Sequence, residues 1–207
     1  MNTRLFRAFL IPVSIFLAIV AFTPVHAEAR AGSVPAITDF VASVTNGETN
    51  TIRGVYVEGL MAFPVIQQPV DNGGYVSKDA NVVTQYRAAA RYGTIGLLAH
   101  NYLAGTNFAS LAEGQRVKVI YGNGRIVVYE IASIYRYQAL QPNSGYSPFV
   151  NLADGKTYTA WDVFQLVYTG SDHITFQTCI ESNGISTWGR LFVIAYPVLD
   201  EGLKKSR

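Results

Sequence analysis

The chain has one cysteine, Cys179, and three histidines, so the residues that could carry nucleophilic chemistry are few. A lone thiol is either a small buried hydrophobe or a reactive group. As a nucleophile it needs a base or a cation close by, because a free cysteine at neutral pH is mostly thiol. His26 belongs to an N-terminal run that reads as an export signal. His173 shares a strand with Cys179, but six residues of extended chain is ~20 Å at ~3.3 Å each, beyond any hydrogen bond. His100, at the tip of a different apolar run, is the histidine that folding could bring to Cys179; the ordinary alternative is a core histidine bonded to backbone groups. Arg190 opens the strand that follows the Cys179 loop, so a hairpin return puts it level with Cys179. There a cation can favour the thiolate or stabilise a developing oxyanion; the ordinary alternative is a solvated charge at a strand end. Asp154, Asp162, Glu113 and Glu181 lack metal-ligand spacing, and no metal or cofactor is expected. No phosphate loop, nucleophile elbow or dinucleotide fingerprint is present.

The elements that must hold these residues are mostly strands. Tyr, Val, Ile and Gly are plentiful and favour strands and turns, which points to an all-β fold. Strand-like runs cover Thr51–Val57 and Ala62–Ile66. Val83–Arg91 is the best helix candidate, closed by Gly93. Thr94–His100 is a short apolar run ending on a polar residue, the profile of a buried strand with a functional group at its tip. Asn107–Leu111 fits one helical turn. Arg116–Tyr121 and Arg125–Ile134 flank Gly122-Asn123-Gly124 as a hairpin. Residues 141–171 form a long connection with a helix near Trp161–Phe164. The last two strands are His173–Cys179 and Arg190–Pro197, separated by a ten-residue loop. In the first of them Ile174 and Phe176 mark the core side, so His173, Thr175, Gln177 and Cys179 share the other, polar side.

The N-terminus reads as a targeting segment. Arg4 and Arg7 precede the uncharged run Ala8–Phe22, and Val25-His26-Ala27 has small residues where a signal peptidase inspects. The run is short for a spanning helix. Residues 1–27 are therefore a signal peptide cleaved after Ala27 or, as the alternative, an uncleaved anchor that associates the chain with the membrane. Either way the rest lies outside the cytoplasm, secreted or on the outer face of the cell membrane. Residues 28–50 read as a spacer, 51–200 as the folded domain and 201–207 as a polar tail. Without residues 1–27 the chain carries fourteen residues of each sign and no basic stripe, which argues against a nucleic-acid partner.

Three segments in chain order resemble those of the sortase family. Thr175-Phe176-Gln177-Thr178-Cys179 is similar to the family's T-L-x-T-C motif, with Phe176 in place of Leu. Gly96–Asn101, followed by Phe108, Leu111 and Gly114, resembles the histidine segment, and Arg190–Val193 resembles the strand opened by the family's arginine. The resemblance runs from about Ile52 to Pro197. It implies a closed, mostly antiparallel eight-stranded β-barrel with one or two short helices and the site at one edge. It also implies a cysteine transpeptidase: Cys179 attacks a peptide carbonyl in a sorting-type signal, and the thioester passes to an amine acceptor. In that scheme His100 is acid and base, Arg190 holds the oxyanion or substrate backbone, and the 141–171 connection lines the substrate groove. The alternatives are a thiol hydrolase that releases the acyl group to water, and a secreted β-barrel binding module whose cysteine has no catalytic role.

Overall fold

The computed structural model describes residues 34–198. The expected export segment 1–27 and the expected polar tail 201–207 lie outside the described residues. Ten strands run in chain order as β1 (Ile52–Val57), β2 (Met61–Gln67), β3 (Val83–Tyr86), β4 (Ile95–Leu98), β5 (Arg116–Tyr121), β6 (Ile126–Ala139), β7 (Phe149–Asn151), β8 (Thr157–Tyr158), β9 (Ile174–Ser182) and β10 (Ile185–Pro197). Helices α1 (Ile37–Val44) and α4 (Ala160–Tyr168) have eight and nine residues, while α2 (Arg87–Ala90) and α3 (Gly105–Phe108) are single turns.

The strands close on themselves. The order β10-β9-β4-β3-β2-β1-β5-β6 returns to β10 through a β10–β6 pairing, giving an eight-stranded barrel, and β7 and β8 extend from β6 outside the ring. Only β2–β3 and β4–β9 are parallel; every other neighbour is antiparallel. Period-2 alternation fills the interior: Val55, Val57, Leu97, Phe176, Leu191 and Val193 are buried within one cluster. Phe176 packs edge-on against Phe108 at 5.0 Å between ring centres, so the bulkier residue of the T-F-Q-T-C segment has an aromatic partner in α3. A second cluster lies outside the barrel, where α4, β7 and β8 cover Phe192, Ile194 and Tyr137.

Within residues 28–50, Ile37–Val44 is helical and packs Phe40 beside Tyr56. The ring fits because residue 54 is glycine; a Cβ there would meet it at 2.9 Å. Three local readings need correction. Val83–Arg91 is not one helix: its first half is β3, because β2 and β4 supply sheet partners on both sides, and only Arg87–Ala90 turns helically. The ten-residue loop after Cys179 does not exist. Strand pairing continues to Ser182 and resumes at Ile185 around Asn183 and Gly184, which adopt φ of 52° and 74°. Two successive left-handed residues of this kind suit a tight hairpin turn. Cys179 and Arg190 therefore sit inside long strands and not at their ends.

Candidate functional site

Two of the candidate residues meet on the outer face of β9, and the third follows the end of the neighbouring β4. Gln177 pairs with Leu98 in the parallel β4–β9 ladder, and Ala99 N–H still donates to Gln177 O at 3.2 Å. β4 ends at Leu98, and His100 follows two residues later, as Cys179 follows Gln177 on β9. On the other side Cys179 pairs directly with Arg190. Ile95 and Ala99 bond to the carbonyls of His173 and Gln177, so odd-numbered residues of β9 turn their backbones toward β4. Cys179 and Arg190 thus form a non-hydrogen-bonded antiparallel pair, the kind in which side chains stand closest. Leu97, Phe176 and Leu191 point inward, and by alternation Cys179 and Arg190 point outward.

Each residue is held from its own side. The His100 carbonyl accepts from Leu103 N–H and Gly105 N–H, both at 3.0 Å, which wraps the chain into a tight loop. Asn101 Nδ2 donates to Ser186 O at 3.0 Å and ties that loop to β10. The His100 ring stacks on Tyr102 with ring centres 5.2 Å apart. Arg190 Nη1 donates to Thr187 O and Gly189 O, both at 2.9 Å, and Nη2 donates to Pro142 O at 3.3 Å. Three of the five guanidinium donors are used, and two remain for a substrate oxygen. No carboxylate among the described residues pairs with it. A half-buried cation held only by carbonyls keeps its full charge for a negative ligand or transition state. Cys179 itself is partly exposed.

A groove of about 330 Å³ opens beside Arg190 on this face. Its floor includes Leu98, Gln177 and Phe192, and its far wall is α4 with Phe164 and Tyr168. Helix α4 starts at a capping box: Thr159 Oγ1 accepts from Asp162 N–H, and the Asp162 carboxylate accepts from Thr159 N–H. The Thr159 hydroxyl, which donates to the Asp162 carboxylate at 2.7 Å, and after it the Thr159 N–H hold that carboxyl below the usual carboxylate range. Tyr168 donates its hydroxyl to Gln177 Oε1. Burial pushes the Tyr168 phenol well above its ordinary range and raises Tyr86 beside it, so both remain neutral donors. The sequence reading overlooked Tyr168 and Gln177 as a pair. Gln177 was on the face with Cys179, and Trp161, Phe164 and Tyr168 follow helical spacing, which was the available signal.

His173 has a different place. It faces outward as alternation requires, yet it is buried under the end of α4. Its ring nitrogens lie 2.7 Å from Ser171 O and 2.9 Å from Val167 O, and Thr175 Oγ1 also bonds Val167 O. The expected polar face of β9 is therefore polar and solvent-accessible only beyond Thr175. Among the described residues no cluster of His, Cys, Asp and Glu could hold a metal ion, and no helix is long and apolar enough to cross a membrane.

No protein-family model and no curated protein matches the chain. Solved structures do. Sortase A from Corynebacterium diphtheriae is 17% identical with a TM-score of 0.49, over 74% of this chain and 64% of that one. Sortase A of Listeria monocytogenes is 12% identical with a TM-score of 0.45, over 75% and 95%. A pilus-related sortase C of Group B Streptococcus is 13% identical with a TM-score of 0.46, over 85% and 79%. The chain spans 64% of the length of the Corynebacterium sortase A and of the sortase C1 of GBS Pilus Island 1. At these identities the likeness is one of fold.

Proposed function

We propose that this chain is an extracytoplasmic cysteine transpeptidase. The observation that supports this reading is the direct pairing of Cys179 with Arg190 across β9 and β10, with His100 two residues past the end of β4, whose last pair on β9 is Leu98–Gln177. The Cys179 sulfur attacks a peptide carbonyl of a substrate bearing a sorting-type signal. A C–S bond forms, and the carbonyl oxygen becomes an anion beside the two free donors of Arg190. Collapse breaks the C–N bond, and His100 protonates the departing amine. The resulting thioester is resolved by an incoming amine, which gives its proton to His100 as it attacks. Gln177, whose amide oxygen is engaged by Tyr168, has its amide nitrogen left to donate to a main-chain carbonyl of the acyl donor in the groove.

A peptide library incubated with and without an added primary amine tests the reading. Amine-capped products that depend on Cys179 support transfer. Products released only to water, whatever the amine concentration, identify a hydrolase instead.

A further inference from the structure

We propose that Gln68 is a positioning residue for the aromatic groove, and that the loop it holds sets how large a donor side chain the groove admits. This rests on the acyl-transfer reading above.

Residues 68–82 join β2 to β3 without helix or strand, and so long a connection inside a compact domain commonly carries function. Gly73, Gly74 and Val76 of this connection line the groove together with Leu98, Gln177 and Arg190. Gln68 is 3% exposed, so its amide must find its partners inside the protein. Its Nε2 donates to Gly73 O and Tyr75 O, both at 3.0 Å. Its Oε1 accepts from Arg87 N–H at 3.2 Å, at the start of α2, and its own N–H donates to Gln85 O of β3 at 3.2 Å. One buried amide thus fastens the loop on either side of Gly74 to the frame of β3 and α2. Further along, Ser77 N–H donates to the buried hydroxyl of Thr84 at 2.9 Å and fixes the loop's return.

The fold itself does not call for the two glycines. Gly73 and Gly74 lie outside the left-handed region that favours glycine. A Cβ on Gly73 would meet nothing within 4 Å, and one on Gly74 only the Asn72 side-chain oxygen at 3.8 Å. What the missing side chains leave is width in the groove. Because Gln68 holds the loop by its carbonyls, that width is set before a donor arrives. Without the amide the loop has to be ordered at binding, a cost that appears in the half-saturating donor concentration. Cys179 and Arg190 stand on β9 and β10, so the maximal rate does not depend on the loop.

The test acylates the full chain with N-acetyl-triglycine benzyl thioesters in which one residue at a time is replaced by Ala or Trp. The Cys179 sulfur attacks the thioester carbonyl, a new C–S bond replaces the old one, and benzyl thiolate leaves. Acylation rate is followed by intact mass against donor concentration, and thermal midpoints are recorded. The same peptides as C-terminal amides are titrated onto Cys179→Ala by amide NMR. At one donor position Trp should be admitted at least as well as Ala. Gly74→Leu should raise the half-saturating concentration of that Trp donor about tenfold relative to Ala, at an unchanged thermal midpoint. Gln68→Met should raise half-saturation about tenfold with the maximal rate within about twofold. If Gln68→Met does not fold, Gln68→Glu, which keeps the Arg87 bond and loses the other two side-chain bonds, is read in its place. A Trp-to-Ala ratio unchanged by Gly74→Leu overturns the wall, and a Gln68 variant that lowers only the maximal rate overturns the positioning role. Both results leave acyl transfer intact. Trp-dependent NMR shifts that weaken about tenfold with Gly74→Leu, without acylation of Cys179, uphold the wall and overturn the transfer reading. Neither binding nor acylation overturns both.

Discussion

Arg190 is fixed by three backbone carbonyls and faces Cys179 across a non-hydrogen-bonded pair, so its planar fork matters as much as its charge. Arg190→Lys keeps the cation but cannot span Thr187, Gly189 and Pro142 while offering two further donors. We expect kcat/KM to fall by about a hundredfold or more, the scale of losing an oxyanion donor, with little change in thermal midpoint. Retained activity in a steady-state assay would show that charge alone suffices. Tyr168→Phe acts more gently: Gln177 loses the hydroxyl that orients its amide. The expected result is a raised KM with kcat nearly unchanged, separable by full saturation curves, because the contact belongs to substrate binding and not to the reacting atoms.

Helix α4 and strand β9 are joined by His173 and Thr175, both bonded to Val167 O, and this joint sits ~13–20 Å along the extended chain from Cys179. His173→Ala should therefore cost about 2 kcal/mol of stability in denaturant unfolding while leaving most turnover per folded molecule. Loss of turnover without loss of stability would make His173 the functional histidine. Gly105→Ala is predicted to do the opposite kind of damage. The new methyl has to displace the His100 carbonyl or Thr178, so kcat should drop together with the melting temperature. The facing of Cys179 was legible in the sequence because period 2 is a local property of one strand. The course of β4 toward His100 was not, because it depends on β4 pairing in parallel with a strand some eighty residues later. The burial of His173 and Thr175 was hidden for another reason: α4, which ends a few residues earlier in the chain, folds back over them. Val83–Tyr86 misled because helix propensity is a weak preference that two sheet partners override. The Asn183-Gly184 turn, by contrast, was visible as a hairpin dipeptide, and reading it would have removed the ten-residue loop.

The barrel as a whole carries buried phenols that set its limit at high pH. Burial raises Tyr129, Tyr137 and Tyr168, Tyr137 to about 12. Each folded value lies above the unfolded value near 10, so the folded state holds more protons once pH passes ~10. Their contribution is complete below that value and is lost as pH rises toward the folded ones. Thermal midpoints should be flat with respect to these groups from pH 8 to 9 and fall steeply from 10 to 12. Tyr137→Phe should reduce that fall and add about 1 kcal/mol at neutral pH, because the Tyr137 hydroxyl is buried with no partner. A destabilised Tyr137→Phe variant in the same melts would mean that the hydroxyl is satisfied.

The barrel's closure through β10–β6 holds β9 and β10 rigidly side by side, and the central claim is that this rigidity serves a covalent reaction at one sulfur. The most direct measurement is intact-mass and peptide-mapping mass spectrometry of the protein quenched in acid during turnover of a peptide library. An acyl adduct is expected on the peptide containing Cys179, absent from Cys179→Ala, with that variant inactive and its melting temperature nearly unchanged. Turnover that persists in Cys179→Ala, or an acyl adduct mapped to any other residue, would contradict it.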